Sequence, residues 1–236
     1  MKPAFQFKQF SVFDDKCGMK LSTDAVLLGA IAQPGNAAKI LDIGTGCGIL
    51  ALMMAQKCDA AIDAVEIDRD AYLQAKQNFQ NSKWAARLKI FNTSVQNFTE
   101  TSAKKYDCII CNPPYFHGML KSPYHNINSA KHNSTLDFHE LSHCVRALLY
   151  EDGLFWAICP VSEKKRFLEA MSVSGLFCQK LFLISDKPGK VSNRFIACLS
   201  FQTPFITEYA EIMLKNHDGI PSETLREITK DFYLDF

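Results

Sequence analysis

From residue 39 onward, short apolar runs rich in β-branched and aromatic residues alternate with longer segments whose apolar positions recur every three to four residues. This alternation predicts a mostly parallel sheet covered by helices on both faces. The predicted strands are Lys39–Ile43, Ala61–Glu66, Leu88–Phe91, Tyr106–Cys111, Gly153–Cys159, Phe177–Ile184 and Phe195–Phe201, which makes the sheet seven-stranded. Helical spacing lies near Ile49–Lys57, Arg69–Asn81 and Leu136–Leu149, and the third crossover, near Val95–Thr101, is short and weakly patterned. After Ile184 the helical signal disappears. Ser185-Asp186-Lys187-Pro188-Gly189-Lys190 then reads as a turn that joins two strands into an antiparallel hairpin at the sheet edge.

Two segments fall outside the alternation. Residues 1–37 carry Phe5, Phe7 and Phe10, a turn near Asp14–Gly18, and a helix-like Thr23-Asp24-Ala25-Val26-Leu27-Leu28-Gly29-Ala30 that Ser22 or Thr23 can cap. The stretch Phe116–Thr135 is polar and aperiodic, contains no acid, and holds His117, Lys121, His125, Lys131 and His132. The chain divides accordingly into an N-terminal lid (1–37), an α/β core (38–202) and a C-terminal appendage (203–236) expected to pack on that core.

Composition narrows the classes further. With 236 residues and 47% hydrophobic content, the chain can bury a sizeable core and is neither disordered nor of low complexity. The net charge of +1 is not that of a dedicated nucleic-acid binder. It conceals an asymmetry, however: residues 201–236 hold three basic and seven acidic residues, net −4, so residues 1–200 carry +5. Nine cysteines, an odd number and mostly within apolar runs, fit buried thiols in a reducing compartment better than disulfides. The first residues lack a signal-peptide core and no run is long enough to span a membrane, so the expected location is the cytoplasm and the default state a monomer without membrane or metal partners.

Chemistry concentrates at strand ends. Asp42-Ile43-Gly44-Thr45-Gly46-Cys47-Gly48 joins the first strand to a helix through alternating glycines, which permit a tight turn and close approach of a ligand. It is not the dinucleotide fingerprint G-x-G-x-x-G, whose third glycine would fall at Ile49. The second strand ends at Val65-Glu66-Ile67-Asp68, where a carboxylate can bind the two hydroxyls of a ribose lying across the sheet's switch point. The fourth ends at Asn112-Pro113-Pro114-Tyr115, two prolines enforcing an extended strand stop.

Together these three strand ends resemble the class I S-adenosylmethionine-dependent methyltransferases, a Rossmann-like fold, and Asn112–Tyr115 resembles the tetrapeptide of the branch that methylates planar amino nitrogens. Phe7-Lys8-Gln9-Phe10, Met19-Lys20, the Thr23–Ala30 run and Phe232-Tyr233-Leu234 extend the likeness over nearly the whole chain, to the bacterial tRNA(Val) (adenine-37-N6)-methyltransferase family. The resemblance implies methyl transfer from S-adenosylmethionine, leaving S-adenosylhomocysteine, to the N6 amino group of an adenine in tRNA. It implies a cofactor site formed by Thr23, Asp24, Asp42, Gly44, Gly46, Gly48, Glu66, Ile67, Ser94, Val95 and Asn112. Catalysis falls to Asn112, Pro113, Pro114 and Tyr115. One departure is Ser94, where the family often has an Asp that binds the cofactor's adenine amino group.

An exocyclic amino nitrogen is a poor nucleophile because its lone pair is delocalised into the ring, so such a site works by positioning and lone-pair localisation. The Asn112 side-chain oxygen and the Pro113 carbonyl can accept the two amino hydrogens, and Tyr115 offers a face for an extruded base. Competing readings are N5-methylation of a protein glutamine, a non-catalytic RNA-binding module, and a zinc hydrolase built on His139-Glu140-Leu141-Ser142-His143, a literal H-E-x-x-H. Lys164-Lys165-Arg166, Lys187, Lys190 and Arg194 are candidate contacts for tRNA phosphates.

Overall fold

The computed structural model describes residues 3–113 and 136–234. Its sheet is built from β3 (Lys39–Ile43), β4 (Ala61–Glu66), β5 (Leu88–Asn92), β6 (Tyr106–Cys111), β7 (Leu149–Pro160), β8 (Phe177–Ser185), β9 (Arg194–Ser200) and β10 (Glu208–Met213). These lie in the order β10-β8-β9-β7-β6-β3-β4-β5. The five strands β5, β4, β3, β6 and β7 run parallel. β9 is antiparallel to both β7 and β8, and β10 is parallel to β8.

The sheet thus has eight strands rather than the expected seven, and the hairpin is not its edge. β9 inserts between β7 and β8, and β10 covers β8. The extra strand escapes a pattern-based reading because only Ile212 of its six residues is buried, which leaves no period-two alternation to detect. The boundary expected at residue 203 therefore precedes a segment that continues the sheet.

α1 (Thr23–Ile31), α2 (Ile49–Lys57), α3 (Arg69–Gln80) and α7 (Glu223–Thr229) cover one face. α4 (Val95–Thr101), α5 (Phe138–Leu148) and α6 (Lys164–Val173) cover the other. Parallel strands with both faces covered read as continuous apolar runs, as in Ile40-Leu41 and Cys108-Ile109-Ile110-Cys111. The C-x-x-C pair Cys108 and Cys111 points into opposite cores, and all nine thiols are free. No helix among the described residues is long and apolar enough to cross a membrane.

Ahead of the sheet, β1 (Phe5–Gln6) and β2 (Ser11–Val12) form a small antiparallel ladder. Phe7 stacks on Phe10 at 4.7 Å and on Tyr233 at 5.8 Å, and Lys8 N–H donates to the Phe232 carbonyl at 2.8 Å. The following turn is organised by the Lys20 ammonium, which donates to the carbonyls of Asp14, Asp15 and Cys17, each at 2.9 Å. Residues 5–21 form a strap fastened at both ends.

Candidate active site

Strand register sets the site. Ile43 pairs with Cys111 on one side and with Val65 on the other, so the next residues, Gly44, Asn112 and Glu66, stand level at the carboxyl edge. The chain runs outward from β3 through β4 and β5, then returns to β6 on the other side of β3. This reversal is the switch point where open α/β sheets bind ligands. With strands about 4.8 Å apart, Asn112 and Glu66 lie two spacings, about 10 Å, from each other.

The glycine turn is shaped from beneath. Gly44 and Gly46 have φ of 67° and 56°, and a Cβ on either would meet no atom within 4 Å, so the space above them is open. Gly44 and Thr45 N–H groups donate to the Val65 carbonyl at 3.0 and 3.1 Å. Asp42 is fully buried under the turn, where its Oδ2 accepts from Thr45 Oγ1 at 2.5 Å and from Ala51 N–H at 3.1 Å. Its Oδ1 is buried without a partner among the described residues. Desolvation raises its pKa to about 7 against the lowering by those two donors.

A buried acid held partly protonated makes stability fall as pH rises. The folded state retains a proton that the unfolded chain loses near pH 4, so stability declines from there to about pH 7 and is flat above. Asp42→Asn is expected to remove this slope, worth a few kcal/mol in all. Urea midpoints at pH 5 and pH 7 check it; an Asn variant with the wild-type difference between the two would rule it out.

Glu66 closes the turn from the neighbouring strand. Its Oε2 accepts from Gly46 N–H at 2.8 Å and its Oε1 from Asp68 N–H at 2.9 Å. Burial raises its pKa, opposed by these amides. Each oxygen has a second lone pair, so the carboxylate can still receive two hydroxyls. Ile67, next in the chain, is 59% exposed and offers an apolar surface beside the crevice. Asn92 braces this tip by donating from Nδ2 to the Glu66 carbonyl at 2.9 Å.

The remaining expected site residues have partners of their own within the fold. Ser94 Oγ accepts from Asn97 N–H at 3.1 Å and so caps α4, while Val95 is buried in the core beneath. Gly48, with φ 88°, abuts Phe79 of α3. Thr23 opens α1, whose N-cap is Ser22, and Asp24 is ion-paired to Arg194 at 2.7 Å. Asn112 is half-buried and Pro113 buried at the end of β6. Pro114, Tyr115 and the polar stretch 116–135 lie outside the described residues.

The strap reaches the same turn. Asn78 Nδ2 donates at 2.8 Å both to the Phe13 carbonyl and to the Cys47 carbonyl, and its Oδ1 accepts from Phe13 N–H at 3.0 Å. Gln74 Oε1 accepts from Lys16 N–H at 3.3 Å. Gln74 and Asn78 escaped the sequence reading, although two amides on the Ala71–Ala75–Phe79 stripe of an amphipathic helix are a legible sign of buried polar partners.

The H-E-x-x-H segment belongs to α5. Glu140 forms a capping box with Asp137 and accepts from Gln96, and His139 and His143 are exposed. Among the described residues no group of three His, Cys, Asp or Glu is placed to hold a metal ion.

Comparison with known proteins follows this geometry. The methyltransferase small domain family profile matches residues 20–132. A tRNA1(Val) (adenine(37)-N6)-methyltransferase of Phocaeicola vulgatus is 41% identical over 98% of this chain and 98% of its own. Enzymes of that name from Bacteroides fragilis and Pedobacter heparinus are 38% and 37% identical, the latter over the whole of both chains. Among solved structures, a predicted O-methyltransferase from Agrobacterium tumefaciens shares the fold with a TM-score of 0.69, at 16% identity, covering 89% of this chain and 96% of its own. A ribosomal protein L11 methylase from Lactobacillus delbrueckii gives 0.54 at 16% identity, covering 76% and 77%. With near-complete coverage at these identities and a methyltransferase sheet around the three strand ends, the chain belongs to the tRNA1(Val) (adenine(37)-N6)-methyltransferase family.

Proposed function

We propose that the protein methylates the exocyclic N6 of adenine 37 in the anticodon loop of tRNA1(Val), in the cytoplasm, with S-adenosylmethionine as methyl donor. The observation that carries this reading is the register that sets Asn112-Pro113 level with an open glycine turn and the Glu66 carboxylate.

The donor set fits that cofactor. Open space above Gly44 and Gly46 admits its methionine end, Glu66 can receive the ribose hydroxyls, and Ile67 can cover one face of the adenine. Ser94, its oxygen engaged by Asn97, can still donate its O–H to a ring nitrogen. When bound, the cofactor supplies a methyl already activated by its sulfonium. The protein's share is to hold the amino group. Asn112 Oδ1 and the Pro113 carbonyl take the two N–H bonds, so the lone pair leaves the ring plane and faces the methyl. The pyrrolidine ring of Pro113 fixes its φ, and a proline next in sequence restricts its ψ, which together hold the direction of the carbonyl. Tyr115 is assigned the stacking of the extruded base.

Bulk unmodified tRNA and a protein extract, each incubated with labelled S-adenosylmethionine and the enzyme, test the reading. N6-methyladenosine at position 37 is expected, and methylglutamine or no transfer would reject it.

Cations for the RNA backbone stand on the tip between β8 and β9. Lys187 and Lys190 are exposed there, at the same carboxyl edge as Asn112, because Ile184 pairs with Arg194 and Arg194 with Pro160. Lys165 and Arg166 instead pair with Glu169 and Glu163 on and beside their own helix. Neutralising Lys187 and Lys190 together should weaken tRNA binding and lower the slope of log affinity against log salt by about 2. A slope equal to the wild type, measured by filter binding from 50 to 200 mM salt, would exclude them.

A further inference from the structure

Arg194 belongs to a different device. It is the first residue of β9, two strands from Asn112 along the carboxyl edge, and its Nε meets Asp24 Oδ2 at 2.7 Å across 170 residues of sequence. Both side chains are partly buried, 35% and 21% exposed, and Arg194 Nη1 also donates to the Asn193 carbonyl at 3.1 Å. Asp24 stands in the first turn of α1, where the helix dipole and the Ser22 cap already satisfy an acid and the helix end. The partner from β9 is therefore not required to form the helix. Its effect is to fix where that turn stands: α1 packs toward its C-terminal end against α2, with Gly29 against Met53, and its N-terminal turn is held at the sheet edge by Arg194.

We propose that Arg194 is a positioning residue for methyl transfer, acting through Asp24 to hold the first turn of α1, with Thr23, at the carboxyl edge that carries Asn112 and the glycine turn, and that it is not a phosphate contact. The inference rests on the function proposed above. It couples the β8–β9 hairpin and the first turn of α1 into one unit at the carboxyl edge, because the two residues of the ion pair sit on those elements.

Four variants of the full chain decide it: R194Q, D24N, the double variant and R194K. R194Q and D24N should each weaken binding of S-adenosylhomocysteine about fivefold and lower the single-turnover rate about tenfold. The double variant should be no worse than either single one, and R194K should recover most of the loss. The salt slope of tRNA binding should not change. Additive losses, an unchanged affinity and rate, or a slope lowered by about 1 in R194Q alone would each overturn the proposal; the last would make Arg194 a phosphate contact. A merely structural role would lower the melting temperature and leave affinity and rate per folded molecule intact, and this too would overturn it. Calorimetry with S-adenosylhomocysteine needs no RNA, so it still decides the matter if the wild type proves to methylate no tRNA.

Discussion

Asn112→Ala is expected to lower the single-turnover rate of methyl transfer by about 10²–10³-fold, while affinity for S-adenosylhomocysteine changes only a few-fold. The magnitude is that of removing one preorganised polar contact aimed at a reacting group, about 3–4 kcal/mol of barrier. The site explains why the loss should fall on the chemical step. Asn112 extends a central strand bonded on both sides and is followed by a buried proline, so its backbone is fixed before substrate arrives. A polar oxygen held there costs no reorganisation when the amino nitrogen becomes tetrahedral. Alanine leaves the strand end in place and removes the side-chain amide with its acceptor oxygen. Single-turnover kinetics beside calorimetry separate the two quantities; unchanged turnover would end the assignment, and a loss confined to affinity would make Asn112 a binding residue.

Gly48→Ala should be the most damaging single change in the glycine turn, costing about 2–5 kcal/mol of stability. Two effects combine: φ of 88° disfavours any Cβ by about 1–2 kcal/mol, and the added carbon would lie 2.5 Å from Phe79 Cε1 and 3.3 Å from Ala75 Cβ. That sum is a large part of the roughly 5–15 kcal/mol that holds an ordinary domain together. Gly46→Ala provides the contrast. Its Cβ meets nothing within 4 Å, so it should cost only the backbone part in stability while obstructing the cofactor. Guanidinium midpoints for the two variants should therefore differ clearly, and equal midpoints would contradict this division of roles.

The same contrast shows what a pattern of residues can disclose. Three alternating glycines announce a turn, but which of them faces open space and which faces Phe79 depends on where α3 returns in space. Likewise Asp42, Glu66 and Asn112 are conspicuous as strand-end residues, and register aligns two of them; Asp42, one pleat lower, is drawn under the turn. Arg194 and Asp24 each looked like a contact for a different ligand, and only the tertiary fold turns them toward each other. The parallel strands were legible because burial on both faces makes them uniformly apolar. β10 was not, since an edge strand with one buried residue carries its pairing in the backbone.

The fastening of the strap by Phe232 and Tyr233 bears on the order of events during synthesis. Phe7 and Lys8 leave the ribosome more than two hundred residues before their partners. The parallel strands and their helices can assemble meanwhile, with Phe10 against Trp84, whereas Phe7 and Lys8 wait for Tyr233 and Phe232. Contacts so distant along the chain are slow to form. A nascent chain that has not yet reached Phe232 and Tyr233 should hold a folded sheet with residues 13–16 already bound to α3, and only the Phe7–Lys8 end of the strap unfastened.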